Sequence, residues 1–329
     1  MRLCILGAGA WGSALAIHFS TYHDVMLWAR DAAHVATMRS QRTNTRYLPG
    51  IAFPDALRLT EDLRACVDHA DAVLVAVPST GFRALLTQIA PWLGMTPLIW
   101  ACKGFEPGSM LLPHQVAEQT LDLATPRGVL SGPSFASEVA RGLPTALTLA
   151  SDSAATRDLA TQLHHQHLRV YTSDDVIGVE IGGALKNVMA IAAGISDGLA
   201  LGHNARAALI ARGLAEISRL GILLGGHPET FMGLTGMGDL ILTATSDQSR
   251  NRQVGLRLAT GASLTHILDE LGHVAEGVHT AHEVARLART LDVEMPIVTA
   301  VDQVLHERLP ARKAVDALLN REPRAEWHH

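Results

Sequence analysis

The chain has 329 residues, 48% of them hydrophobic and 18% charged, with a formal net charge of −5. That length exceeds one ordinary core and suits two domains, and the apolar content excludes a disordered chain. The acidic balance argues against a duplex nucleic-acid binder, which needs a basic face, while leaving room for a local basic pocket that holds an anion.

In chain order, Arg2–Leu6 reads as a short buried strand and residues 11–22 as a helix with Leu15, Ile17 and Phe19 among its apolar positions. Asp24–Trp28 reads as a second strand. Residues 71–78 form a continuous apolar run closed by proline, the pattern of a strand buried on both faces. Residues 97–102 and 128–131 repeat it, with helical stretches at 81–92 and 110–120, and further strands are predicted at 144–150 and 168–171. Strands alternating with helices imply βαβ units and a parallel sheet.

The texture changes near Asp174. Residues 179–199, rich in Gly and Ala, and residues 204–224 read as long helices, followed by shorter ones at 251–260, 263–271, 278–290 and 298–309. The predicted organisation is an α/β Rossmann-type doubly wound domain over 1–178, an all-α domain over 179–321, and a polar tail over 322–329.

The first strand leads directly into Gly7-Ala8-Gly9-Ala10-Trp11-Gly12, and a helix pattern follows. In a G-x-G-x-x-G turn of this kind the first glycine permits the tight turn, the second lets backbone approach a pyrophosphate, and the third lets helix and strand pack closely. The anion then sits on unpaired N–H groups at a helix N-terminus. A bound dinucleotide, NAD or NADP, is therefore expected. Its identity turns on the end of the second strand, Trp28-Ala29-Arg30-Asp31. Arg30 can face a 2′-phosphate or lie in solvent, and Asp31 can accept from ribose or merely cap the next helix. Arg30 tilts the reading toward NADPH.

Only three lysines occur, Lys103, Lys186 and Lys313. Lys103 follows an apolar strand and precedes Gly104, at the sheet edge where α/β enzymes bind ligands. Lys186 lies in Gly182-Gly183-Ala184-Leu185-Lys186-Asn187, an otherwise apolar helix. Its alternatives are a snorkelling surface lysine or a desolvated lysine whose lowered pKa suits proton transfer. The adjacent glycines favour the second, since they invite close approach to that face. Asp239, in the Gly-rich stretch 234–240, can pair with a lysine, accept a substrate hydroxyl, or cap a helix. Ser249-Arg250-Asn251 opens a helix with hydroxyl, guanidinium and amide groups, either an anion site or an ordinary cap. Gly132-Pro133-Ser134-Phe135-Ala136 offers a backbone-lined turn.

Other chemistries are not supported. Cys4, Cys66 and Cys102 are scattered and odd in number, which argues against a disulfide framework and for a reducing compartment. His164, His165 and His167 cluster without a carboxylate or thiolate partner, so no metal is expected. No G-x-S-x-G elbow appears. No targeting segment is seen, and no apolar run is read as a membrane span, so the expected location is cytoplasmic.

Taken together, Gly7–Gly12, Lys103-Gly104-Phe105, Gly132–Ala136, Lys186-Asn187, Gly238-Asp239-Leu240 and Ser249–Asn251 resemble bacterial NAD(P)-dependent glycerol-3-phosphate dehydrogenases over residues 2–319. The resemblance implies reversible reduction of dihydroxyacetone phosphate to sn-glycerol 3-phosphate, feeding glycerophospholipid synthesis. It implies Lys186 as the proton-transferring catalytic residue. Lys103, Gly132, Ser134, Asp239, Ser249, Arg250 and Asn251 would contact the small phosphorylated three-carbon substrate. Ala10, Trp11, Arg30, Lys103, Ala136, Arg250, Val274 and Glu276 would contact the cofactor alongside Gly7, Gly9 and Gly12. Val274 and Glu276 rest on the resemblance alone, and Ser134 stands where many members carry threonine. Two rival readings share the first domain: a ketopantoate- or opine-type dehydrogenase, and a non-catalytic NADPH-binding regulator. The Ala-rich second domain leaves room for a homodimer.

Overall fold

The computed structural model describes residues 1–271 and 275–322. The first part of the chain runs β1 (Arg2–Leu6), α1 (Ala10–Phe19), β2 (Asp24–Trp28), α2 (Ala32–Gln41), a hairpin of β3 (Thr43–Asn44) and β4 (Leu48–Ala52), then β5 (Arg58–Thr60), α3 (Leu63–Asp68) and β6 (Ala72–Val75). It continues through α4 (Ser79–Leu93), β7 (Leu98–Trp100), α5 (Pro113–Thr120), β8 (Arg127–Ser131), α6 (Ala136–Ala140), β9 (Thr145–Ala150), α7 (Ala154–Leu163) and β10 (Leu168–Ser173). Eight strands form one sheet in the order β10-β9-β8-β7-β6-β1-β2-β5. The order reverses at β1, whose neighbours are β2 and β6, and such a switch point opens a crevice beyond the strand ends.

The sheet is not wholly parallel as expected, because β9 runs antiparallel to β8. The intervening α6 has five residues. At 1.5 Å per residue it is too short to carry the chain back along a sheet face, which a parallel return requires. Helix α1 also ends earlier than residue 22, at Phe19.

Cores lie on both faces of the sheet. One gathers Leu3, Ile5, Leu15, Phe19 and Leu27. The other gathers Cys4, Leu6, Val73, Val75, Phe82 and Trp100, and includes Val179 of the first long helix of the second part. The cysteine reading requires correction. Cys4 on β1 and Cys66 on α3 are paired as a disulfide, with Cα atoms 5.6 Å apart across 62 residues of sequence. Packing α3 on this sheet face brings them together, a relation invisible in their spacing. Cys102 is free and buried.

After β10 the described chain is helical: α8 (Val176–Gly198), α9 (His203–Leu223), α10 (Pro228–Met232), a π-helical turn (Leu234–Gly238), α11 (Asp239–Thr245), α12 (Arg250–Ala259), α13 (Leu264–Leu271), α14 (Glu276–Thr290), α15 (Pro296–His306) and α16 (Ala311–Leu319). Helix α8 starts three residues before the expected position because the Asp175 side chain caps it, accepting from Gly178 N at 2.7 Å. By length and composition α8 is long and apolar enough to cross a membrane, contrary to the sequence reading. Its apolar window is instead 89% buried inside the protein, as the central helix around which the others pack.

Candidate functional site

A cavity of about 890 Å³ opens beyond the C-terminal ends of β1, β6 and β7 and extends to α8, α11 and α12. Gly9, Ala10 and Trp11 line its sheet side. Gly7 has φ +116°, and a side chain there would meet the Ala76 carbonyl at 2.8 Å. A Cβ on Gly12 would stand 1.9 Å from the Gly7 carbonyl, so α1 can sit against β1 only with glycine at that position. Gly9 is the N-cap of α1 with no side-chain cap, and a Cβ there would meet open space. The turn therefore leaves the first amides of α1 facing the cavity, as an anion site requires.

The hairpin adds a wall that the sequence reading had missed. Asn44 is fully buried and donates from Nδ2 to Ala8 O at 2.9 Å and Ser13 Oγ at 2.8 Å, which ties the hairpin to the Gly-rich turn. Tyr47, Leu48 and Pro49 consequently join the lining. A lone asparagine in a polar stretch gives no local signal of this contact.

The opposite side of the cavity is electrostatic. Lys103 follows β7, and its Nζ donates to Asp239 Oδ2 at 2.7 Å and to Gly132 O at 3.2 Å. Lys186, in the middle of α8, donates to Asp239 Oδ1 at 2.5 Å and to Thr243 Oγ1 at 3.1 Å. One fully buried carboxylate thus holds two ammonium groups from different parts of the fold. Asp239 is not a side-chain cap, and the stretch before it is not a loop. A π-helical turn places it at the head of α11. Close packing makes this placement possible. A Cβ on Gly182 would meet Thr235 O at 2.6 Å, and one on Gly183 would meet Ser131 Oγ at 2.9 Å and the Lys103 stem at 3.6 Å. The glycines one turn before Lys186 do admit close neighbours. Thr243, four residues after Asp239 on the same helix face, is the partner that i,i+4 spacing could have revealed.

Burial pulls the Lys186 ammonium pKa down to about 8, reinforced by Lys103 and opposed by Asp239. A lysine so placed gains or loses a proton near neutral pH. Burial pushes the Glu276 carboxyl up, against the pull of Arg250, Lys103 and Lys186.

Among the other expected residues, Ser134, Ala136, Ser249, Arg250, Asn251 and Glu276 line the cavity. Ser134 donates to Gly132 O at 3.0 Å. Ser249 acts as a helix cap, accepting from Arg252 N at 3.2 Å. Asn251 bridges helices, donating to Asn187 Oδ1 at 2.9 Å and accepting from Gly277 N at 3.1 Å. Arg250 alone of that trio is exposed at the opening. Gly132 contributes its carbonyl from beneath. Arg30 is exposed just past β2, outside the lining, and Asp31 caps α2, accepting from Ala33 N and His34 N. Val274 lies outside the described residues.

A glycine turn at a sheet switch point, facing a buried lysine able to exchange a proton, defines a nicotinamide-dependent oxidoreductase with a helical second domain. Residues 2–157 match the N-terminus, and residues 175–316 the C-terminus, of NAD-dependent glycerol-3-phosphate dehydrogenase. The chain belongs to that family. It is 60% identical to glycerol-3-phosphate dehydrogenase [NAD(P)+] of Thiobacillus denitrificans, over 99% of this chain and 100% of that one. Identity to the enzyme of the same name from Aromatoleum aromaticum is 58%, with the same coverage. The crystal structure of glycerol-3-phosphate dehydrogenase from Coxiella burnetii superposes with TM-score 0.93 at 43% identity, covering 97% of this chain and 99% of that one. The open first turn of α1 and the Gly9 backbone facing the cavity suit the pyrophosphate of the dinucleotide this family uses.

Proposed function

We propose that this chain catalyses the reversible, NAD(P)-dependent interconversion of dihydroxyacetone phosphate and sn-glycerol 3-phosphate, supplying glycerophospholipid synthesis. The observation that carries the reading is the pairing of Lys186 and Lys103 through Asp239 beside the dinucleotide turn. A bound nicotinamide supplies or takes up the hydride. The Lys186 ammonium delivers a proton to the developing alkoxide during reduction, and the neutral amine accepts it during oxidation. Lys103 holds positive charge where the carbonyl oxygen becomes negative. Arg250, with the amides opening α12, anchors the substrate phosphate, and that remote binding energy orients the carbonyl. Ser249 and Asn251 hold the helix opening in place through the bonds described above.

We place the division at residues 178/179, and the starts of α8 at Val176 and of the C-terminal family match at residue 175 lie a few residues before it. Arg30, free at the end of β2, supports a preference for NADPH over NADH. We further infer a cytoplasmic enzyme that forms a homodimer and does not engage nucleic acid, in keeping with the net charge of −5. The test is NADPH oxidation at 340 nm with dihydroxyacetone phosphate as acceptor. Lys186→Ala should lower kcat by about 10²–10⁴ while NADPH binding, followed by fluorescence, persists. Near-normal turnover of that variant would remove Lys186 from the mechanism. Cofactor binding without turnover in the wild-type protein would favour a regulator.

A further inference from the structure

Two helices of the second domain carry a side-chain cluster that the cavity does not use. His282 lies within α14, and Asp302 and His306 lie one turn apart on α15. The two helices pack against one another and the three side chains meet. His282 Nδ1 is 3.1 Å from Asp302 Oδ1, and His306 Nε2 is 3.9 Å from the same oxygen. One potential ligand atom from each residue lies within 4.8 Å of the other two, and no other three such side chains among the described residues converge in this way.

We propose that His282, Asp302 and His306 bind one first-row divalent transition-metal ion, zinc being the reference case, as a clamp between α14 and α15. Around a tetrahedral zinc with bonds of about 2.0–2.1 Å, neighbouring ligand atoms stand about 3.3 Å apart. The separations of 3.1 and 3.9 Å bracket that value, and the distance between the two imidazole nitrogens, at most 4.8 Å, closes by small side-chain rotations. Burial is distributed as an inducible site needs. The Asp302 side chain is 3% exposed, whereas those of His282 and His306 are 44% and 30% exposed and so open to an entering ion.

Charge favours the same reading. A buried carboxylate requires compensation. Among the described residues, the one cationic side chain paired with Asp302 besides the two imidazoles is Arg289, with Nη1 at the outer limit of 4.0 Å from Oδ2. A dication on Oδ1 balances the carboxylate more closely than that distant guanidinium. Two imidazoles and one carboxylate suit zinc, cobalt, nickel or copper rather than calcium or magnesium. Binding exchanges one contact: His306 Nε2 now lies 3.1 Å from Val278 O, and coordination requires the tautomer with its proton on Nδ1. The clamp would bear on the cavity at one remove, because α14 begins at Glu276.

The test uses the full chain, stripped of metal by a chelator and carrying His328→Ala and His329→Ala so that the terminal pair cannot contribute. Zinc chloride is titrated calorimetrically, and cobalt chloride by visible absorption. The expected result is one ion per chain, cobalt d–d bands, and a zinc-dependent rise in Tm. His282→Ala and His306→Ala should each weaken zinc binding by more than the roughly tenfold cost of losing an outer-shell partner, and should abolish the Tm rise. Because His282→Ala also removes a partner of the buried Asp302, the metal-free Tm of each variant serves as its own baseline, and loss of the site is read as the absence of any zinc-dependent rise above it. Unchanged stoichiometry and affinity in both variants would overturn the proposal, as would failure of the parent protein to bind zinc at micromolar concentrations.

Discussion

Lys186 Nζ stands 2.5 Å from Asp239 Oδ1, although 53 residues separate them in sequence. The contact joins the centre of α8 to the head of α11, and it decides how the lysine titrates. Burial lowers the Lys186 pKa to about 8, while the Asp239 charge resists that fall. Reduction, which needs the ammonium, should therefore decline as pH rises through about 8, and oxidation, which needs the free amine, should climb over the same range. Asp239→Asn removes the resisting charge and leaves Lys103 repelling Lys186. Both limbs should then move to lower pH, read from kcat/KM profiles in the two directions. Profiles that keep their midpoints would show that Lys186 is not the group being titrated.

Two arginines have separate expected roles, Arg250 in the cavity lining and Arg30 outside it, just past β2. Arg250, exposed at the start of α12, should govern phosphate binding. Arg250→Ala should raise KM for dihydroxyacetone phosphate by about tenfold or more, the scale of one charged hydrogen bond, and should weaken the cofactor. Arg30→Ala should lower the NADPH to NADH ratio of kcat/KM while leaving the NADH value nearly constant. Equal losses with both cofactors would make Arg30 an ordinary surface residue.

Glu180 ties α8 to the sheet that carries Lys103. Its buried carboxylate accepts from Trp100 Nε1 at 2.7 Å and from His114 N at 3.0 Å, and pairs with His114 Nδ1 at 2.5 Å. Burial lowers the His114 pKa, but the hydrogen bond and charge of Glu180, together with the charges of Glu118 and Asp152, more than offset it and leave the pKa raised. Glu180→Gln leaves a buried imidazole without its counter-charge and should cost about 2–4 kcal/mol. Denaturant unfolding measures this. Since Trp100 ends β7, just before Lys103, kcat should fall as well even where the variant is fully folded.

His18 on α1, with His23, His165 and His167 around it, should contribute to acid stability. Burial lowers His18 to a pKa of about 4, with His165, His167 and His23 adding repulsion. The unfolded chain binds a proton near pH 6.5 and the folded one does not until about pH 4. Stability should hold above pH 6.5, fall as pH drops toward 4, and level off below it. The full loss from this residue is roughly 3 kcal/mol, and less if the cluster relaxes. His18→Phe should flatten that slope in urea midpoints collected across the range.

The elements most legible in the sequence were those whose reason is local. The glycine turn was readable because backbone geometry alone selects Gly7 and Gly12. Asp24–Trp28 and the long central helix were readable because apolar patterning reports burial directly. The antiparallel β9 was not, since strand direction depends on where a short helix can carry the chain. Asn44 and Glu180 gave no sign of their roles, because each acts through a hydrogen bond to a residue at least 31 positions away.

By itself the sequence pointed to the dinucleotide turn, to a Rossmann-type part followed by a helical one, and to Lys103, Lys186 and Asp239 as candidates for the chemistry. These follow from backbone sterics, periodicity and the rarity of lysine. Only the tertiary structure decided that one carboxylate serves both lysines, that Ser249 and Asn251 hold a helix opening while Arg250 faces the cavity, and that Cys4 meets Cys66. Spacing along a chain carries no distance between segments far apart in sequence, and a pKa or a pairing depends on that distance.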